Sequence, residues 1–108
     1  MKLPVLATIT APDGAVAERI ARRLVEERLA ACVQLVDPIR SIYRWQEAVH
    51  EDREVLLFVK TTEDLIPRIG ELLKEIHPYE VPELVAVSIA SGSPAYLDWL
   101  KKNVKDGP

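Results

Sequence analysis

Strand-like and helix-like hydrophobic spacings follow one another in the order β-α-β-β-α-β, with one more helix at the end. That order predicts an α+β domain of the ferredoxin-like, split βαβ type. Two further observations refine it: residues 30–46 carry strand-forming side chains for an unusual length, and residues 53–62 are apolar on both faces. At 108 residues the chain has room for a single domain, 1–108, with one core.

The run LPVLATIT, residues 3–10, is rich in β-branched and aliphatic side chains and ends at the turn-forming APDG, so it reads as the first strand. From Asp13, which suits an N-cap, Val16, Ile20 and Leu24 recur every fourth residue with Ala17, Ala21 and Val25 beside them. This is an amphipathic helix to about Leu29. The second strand, 30–46, has Pro38 in its middle, which demands a bend, a bulge or an edge position. After a short polar connection, EAVHED, the third strand runs over 53–62, and the two form a long hairpin. Sixteen or so residues extend for roughly 50 Å at about 3.3 Å each, well beyond an ordinary strand. The outer part therefore projects Ile42, Tyr43, Trp45 and Val49 past the body.

Thr62 is placed to cap the next helix, in which Leu65, Ile66, Ile69, Leu72, Leu73 and Ile76 share one stripe and Pro67 falls in the first turn. ELVAVSIA, 83–90, is the fourth strand. Ser93 as N-cap and Pro94 at the first helical position open the last helix, with Tyr96, Leu97, Leu100 and Val104 turned inward. Right-handed crossovers place both main helices on one face of the sheet. The doubly apolar third strand then needs a cover on the other face, which implies a second subunit.

Composition narrows the function classes. Charged residues make up 29% with both signs interspersed, and no apolar run approaches a membrane span, so neither a membrane protein nor a disordered chain is expected. Fourteen Lys and Arg against seventeen Asp and Glu give a net charge of −3, which disfavours nucleic acid as a partner. The third strand lacks the aromatics of an RNA-binding sheet. Polar Thr8 and Thr10 interrupt any signal-like apolar core, and the lone Cys32 has no disulfide partner within the chain, so a cytoplasmic location is expected.

No P-loop, GxGxxG, HExxH, CxxC or EF-hand string is present. Helix capping accounts for Ser93, and no nucleophile and base come together, so an enzyme is not expected. His50 reads as a solvated residue of the hairpin connection. The stretch IHPYEVPEL, 76–84, is the one that asks for an explanation: His77 ends a helix, Pro78 and Pro82 stiffen the path, and Tyr79, Glu80 and Glu83 follow. His77 is either a cap that seals the last carbonyls or a ligand. One imidazole with the carboxylates of Glu80 and Glu83 can hold a divalent transition metal, Cu²⁺ most tightly, and convergence of subunits would raise the ligand count. Lys60, closing an apolar strand, needs a carboxylate partner or else holds an anion.

The strings ERLAACVQL, SIYRWQ, VLLFVKTT, HPYEVPEL and YLDWL occur in this order over nearly the whole chain. Together they resemble the CutA family of divalent-cation tolerance proteins, the pair SIYRW and HPYEVPE being the specific part. The resemblance implies a homotrimer of PII-like architecture with strands paired between subunits, copper or other divalent-cation binding, and a role in metal tolerance. It marks His77 as a copper ligand, while Ile76 and Ile9 stand where some members have a second histidine and a cysteine. It also implies an intersubunit cleft lined by Tyr43, Trp45, Lys60, Tyr79, Glu80, Glu83 and Trp99. Two functions follow as expectations: a trimeric cation-binding tolerance protein, or a PII-like regulatory or scaffold trimer that takes a small anion or a partner protein in the cleft through Lys60 and the aromatics.

Overall fold

The computed structural model describes residues 2–107. Strands β1 (Pro4–Ala11), β2 (Cys32–Trp45), β3 (Ala48–Thr62) and β4 (Val85–Ser88) form one antiparallel sheet in the order β2-β3-β1-β4. Helices α1 (Gly14–Glu26), α2 (Ile66–Ile76) and α3 (Pro94–Lys102) complete the expected ferredoxin-like order. A short 3₁₀ turn, Glu63–Leu65, precedes α2, and Thr62 at its start makes no side-chain cap. The other caps form as expected: Asp13 accepts from the Val16 N–H at 2.9 Å and Ser93 from the Tyr96 N–H at 3.2 Å.

The core lies between the sheet and the first two helices. Val5, Ala7, Ile9 and Ala11 of β1 and Val55, Leu57 and Val59 of β3 are buried against Ala17, Ile20 and Leu24 of α1 and Ile69, Leu72 and Leu73 of α2. The alternate residues, Leu6, Thr8, Leu56, Phe58 and Lys60, are only half-buried on the opposite face. There Val85 and Val87 of β4 are 59% and 61% exposed. In the protomer that second face is open.

Helix α1 ends three residues before the expected Leu29. The Leu29 N–H reaches the Leu24 carbonyl and the Arg28 N–H the Val25 carbonyl, with Arg28 at φ 58, so the helix closes in a Schellman turn that buries Leu29 against Leu24. The fourth strand shortens to four residues because only Val85–Ser88 pair with β1. Leu100 and Val104 are buried as expected, whereas Tyr96 is 40% exposed.

The larger correction concerns the hairpin. EAVHED is not a connection: β3 begins at Ala48, Trp45 pairs with Ala48, and the turn is the two residues Gln46 and Glu47. Both have positive φ, 49 and 65, the signature of a type I′ turn made without its usual Asn-Gly. His50 thus sits in a strand and stacks on Tyr43. At Pro38 the ladder slips, Val36 facing Leu56 and Ile39 facing Glu54, so Asp37 and Pro38 together oppose Val55 in a β-bulge. The projecting hairpin gives a radius of gyration of 14.2 Å, against about 13 Å for a compact domain of this size.

The turn residues are therefore a place where the chain can be improved. The paired substitution Gln46→Asn with Glu47→Gly relieves left-handed strain and should stabilise the tip by about 1 kcal/mol. Native-state hydrogen exchange of the amides around Val49 is expected to slow about fivefold, at unchanged rates in the core.

Candidate functional site

The histidine corner is built by the end of α2. The His77 N–H bonds the Leu73 carbonyl at 2.8 Å, its ψ of 134 leaves helical space, and Pro78 holds it there. The imidazole turns inward and is 8% exposed. Its Nε2 lies 2.8 Å from the Thr10 carbonyl of β1, and its Nδ1 accepts the Tyr79 N–H at 3.1 Å. A carbonyl on one side and an N–H on the other assign the neutral Nε2–H tautomer. The Tyr79 ring leans on the imidazole, centroids 4.7 Å apart, and its hydroxyl donates to Glu54 of β3 at 2.7 Å. A chain of bonds thus ties β1, the corner and β3 together.

Beyond the corner the segment 78–83 lies beside the open sheet face and closes a cleft of about 730 Å³ with the outer half of the hairpin. Tyr43 and Trp45 form one wall, Tyr79 and Glu54 the floor, and Glu80, Val81, Pro82 and Glu83 the opposite wall. The Glu83 carboxylate accepts the Thr8 hydroxyl at 2.7 Å, pinning the segment to β1. The Tyr43 hydroxyl donates to Asp52. Burial first, and then the Glu54 carboxylate, push the Tyr79 phenol above its usual range; the hydrogen bond to Asp52 does the same for Tyr43.

Of the residues expected in an intersubunit cleft, Tyr43, Trp45, Tyr79, Glu80 and Glu83 come together within the protomer, and Lys60 and Trp99 lie elsewhere in it. Lys60 lies six residues from Glu54 along β3, about 20 Å at strand spacing. Its ammonium sits 5.4 Å from the Tyr96 ring centroid, a cation–π contact in place of the expected carboxylate. Trp99 packs on Tyr96, centroids 5.4 Å apart, at that same end. Thr10, Ser41, Ile42 and Glu54 also line the cleft and were missed by sequence reasoning, Glu54 being the charged one and only 7% exposed.

The donors of one protomer do not fit a chelated metal. Both His77 nitrogens are already bonded, and among the described residues no three His, Cys, Asp or Glu side chains converge on a common point. Among the described residues neither a general divalent cation nor Cu²⁺ finds a complete ligand set, so Glu80 and Glu83 would require donors from elsewhere.

The sequence profile described as "CutA1 divalent ion tolerance protein" matches residues 5–103. The chain is 57% identical over 95 residues to the "Divalent-cation tolerance protein CutA" of Thermus thermophilus, covering 88% of this chain and 92% of that protein. It is 47% identical to the "Protein CutA" of Mus musculus over 87% of this chain, and it spans only 53% of that longer protein. The solved structure of the Thermus thermophilus protein superposes with a TM-score of 0.93 at 52% identity, covering 95% of this chain and all, 100%, of the other. The CutA1 structure from Oryza sativa does so at 0.93 and 37% identity, covering 98% of each chain. No helix among the described residues is long and apolar enough to cross a membrane.

Two outcomes test the corner. His77→Ala strands the Thr10 carbonyl and the Tyr79 N–H, and should cost about 1–3 kcal/mol in denaturant unfolding. For Tyr79, a folded pKa above the ordinary 10.0 means the native state keeps a proton that the unfolded chain loses, so stability is full below pH 10.0 and declines as pH rises beyond it. Thermal melts across that range should show a decline that is smaller in Tyr79→Phe; equal declines would remove the phenol as its source.

Proposed function

The chain belongs to the CutA1 family of divalent ion tolerance proteins, and from that premise we propose that it acts as a homotrimer that binds a divalent cation, copper first among candidates, at the cleft beside the hairpin. The observation that carries this reading is the cleft itself, where Glu80 and Glu83 line one wall of an acidic, partly aromatic cavity next to an exposed sheet face.

The incomplete ligand set of one protomer and the open face have the same remedy, a neighbouring copy. Val85, Val87, Ile42 and Val49, each about three-fifths exposed, are apolar area that association would remove from water. Within that assembly Glu80 and Glu83 supply hard oxygen donors and a neighbour supplies the rest. For any such mixed set, Cu²⁺ binds most tightly of the divalent first-row metals. His77 contributes by holding the segment that carries both carboxylates, and it becomes a ligand only by giving up the bond to Thr10 or to Tyr79.

The competing reading, an anion or a partner protein taken between subunits through Lys60, has no support within the protomer, where Lys60 lies over Tyr96 at the far end of β3. The family is named for tolerance and not for a reaction, and we assign no catalytic role.

Calorimetric titration with Cu²⁺, with mass by light scattering on each sample, tests the proposal. The native protein should show trimer mass and saturable binding. Glu80→Gln with Glu83→Gln should keep the mass and weaken binding at least about tenfold, equivalent to about 1.4 kcal/mol. Equal binding by both proteins would sink the carboxylate site, and a monomer mass would sink the trimer.

A further inference from the structure

Glu54 is an anomaly for a chain of this kind. Carboxylates are rarely nine-tenths buried unless paired, yet Glu54 is 7% exposed and forms no salt bridge among the described residues. One oxygen, Oε2, accepts the Tyr79 hydroxyl. The other, Oε1, receives no side-chain hydrogen bond among the described residues, and the residue lines the cleft.

The rest of the lining asks for the same complement. No Lys, Arg or His among the described residues contributes to it. Tyr43 has spent its hydroxyl hydrogen on Asp52 and Tyr79 has spent its own on Glu54, so both phenols face the cleft as acceptors only. Aromatic faces are themselves electron-rich and attract an organic cation laid against them. A cavity of about 730 Å³ is of the size that small organic ligands occupy, and far larger than a bare ion requires.

We propose that this cleft binds a small organic cation bearing N–H donors, a primary ammonium or a guanidinium, with its charge on Glu54 and its carbon skeleton against Tyr43, Trp45 and Tyr79. The inference rests on the cleft being the functional locus, but not on metal binding. A metal ion draws its affinity from oxygen and nitrogen donors and makes little use of ring faces, and a neutral ligand leaves the Glu54 carboxylate without a cationic partner. The ammonium answers both. Phenol oxygens that can only accept add further hydrogen bonds to a cationic donor, which are stronger than bonds between neutral groups.

Trp45 lines the cleft and reports occupancy by fluorescence, in a Trp99→Phe background that removes the other indole. The native assembly is titrated with n-butylammonium chloride, with n-butanol as the neutral analogue and sodium chloride for ionic strength. A saturable change is expected with butylammonium alone, weakened at least about tenfold by Glu54→Gln, which keeps the shape and the bond from Tyr79. Tyr79→Phe, which tests the phenol without removing the ring, should weaken binding less. Absence of saturation, an equal response to butanol, or an undiminished affinity in Glu54→Gln would each overturn the proposal. Copper titration of the same samples separates the two readings: copper binding lost with butylammonium retained removes the metal reading alone, and the reverse removes this one alone.

Discussion

Between Val36 and Ile39 the β2–β3 ladder gains one residue on the β2 side, and the composition of the cleft depends on that slip. Alternation along a strand is strict, so one extra residue exchanges the faces of everything beyond it. Before the bulge the even residues Gln34 and Val36 pair with Phe58 and Leu56 on the open face; after it the odd residues Ser41, Tyr43 and Trp45 pair with Asp52, His50 and Ala48 there. Without the slip Arg40 and Arg44 would stand on that face in place of Ser41, Tyr43 and Trp45, and the wall would turn basic. Pro38, which has no N–H to give to a ladder, sits where no ladder bond is needed.

The opposite wall is fixed by a different device. A loop that carries two prolines cannot be held by a regular ladder, and its position comes from three side chains that each reach a neighbouring strand. His77 bonds Thr10, Tyr79 bonds Glu54, and Glu83 bonds Thr8. The first two are coupled, because the same imidazole also takes the Tyr79 N–H and so orients the ring that floors the cleft. The histidine is therefore a structural pin in the protomer. The residues that it positions remain available at the surface.

Much of this is legible in the sequence because it depends on local rules. Period-four stripes locate α1 and α2, capping chemistry locates Asp13 and Ser93, and the doubly apolar third strand announces a sheet with two demanding faces. What cannot be read depends on register. Gln46-Glu47 is a poor turn signal, so the polar run around it reads as a connection, although its residues from Ala48 on continue the strand. Glu54, one residue outside the apolar core of its strand, gives no sign of burial; only the counting that follows the bulge places it opposite Ile39 and under Tyr79. Lys60 and Trp99 share aromatic and cationic character with the cleft residues, but strand length separates them, and Tyr96, which gathers both, reads from its helical spacing as an inward residue.

The same geometry links assembly to the site. The sheet has two free edges, β2 and β4, and an exposed edge is a template for another chain. The hairpin that carries Tyr43 and Trp45 is part of the β2 edge, and the segment 78–83 leads directly into β4. The cleft is therefore bounded on both sides by backbone that a neighbouring copy would engage. Pairing along β2 would restrain the aromatic wall, and pairing along β4 the segment bearing Glu80 and Glu83. A ligand held between those walls favours whichever arrangement brings them to the right separation, and by linkage that arrangement favours the ligand to the same degree. In an assembly of that kind the bulge on one side and the histidine pin on the other would join cavity and contact.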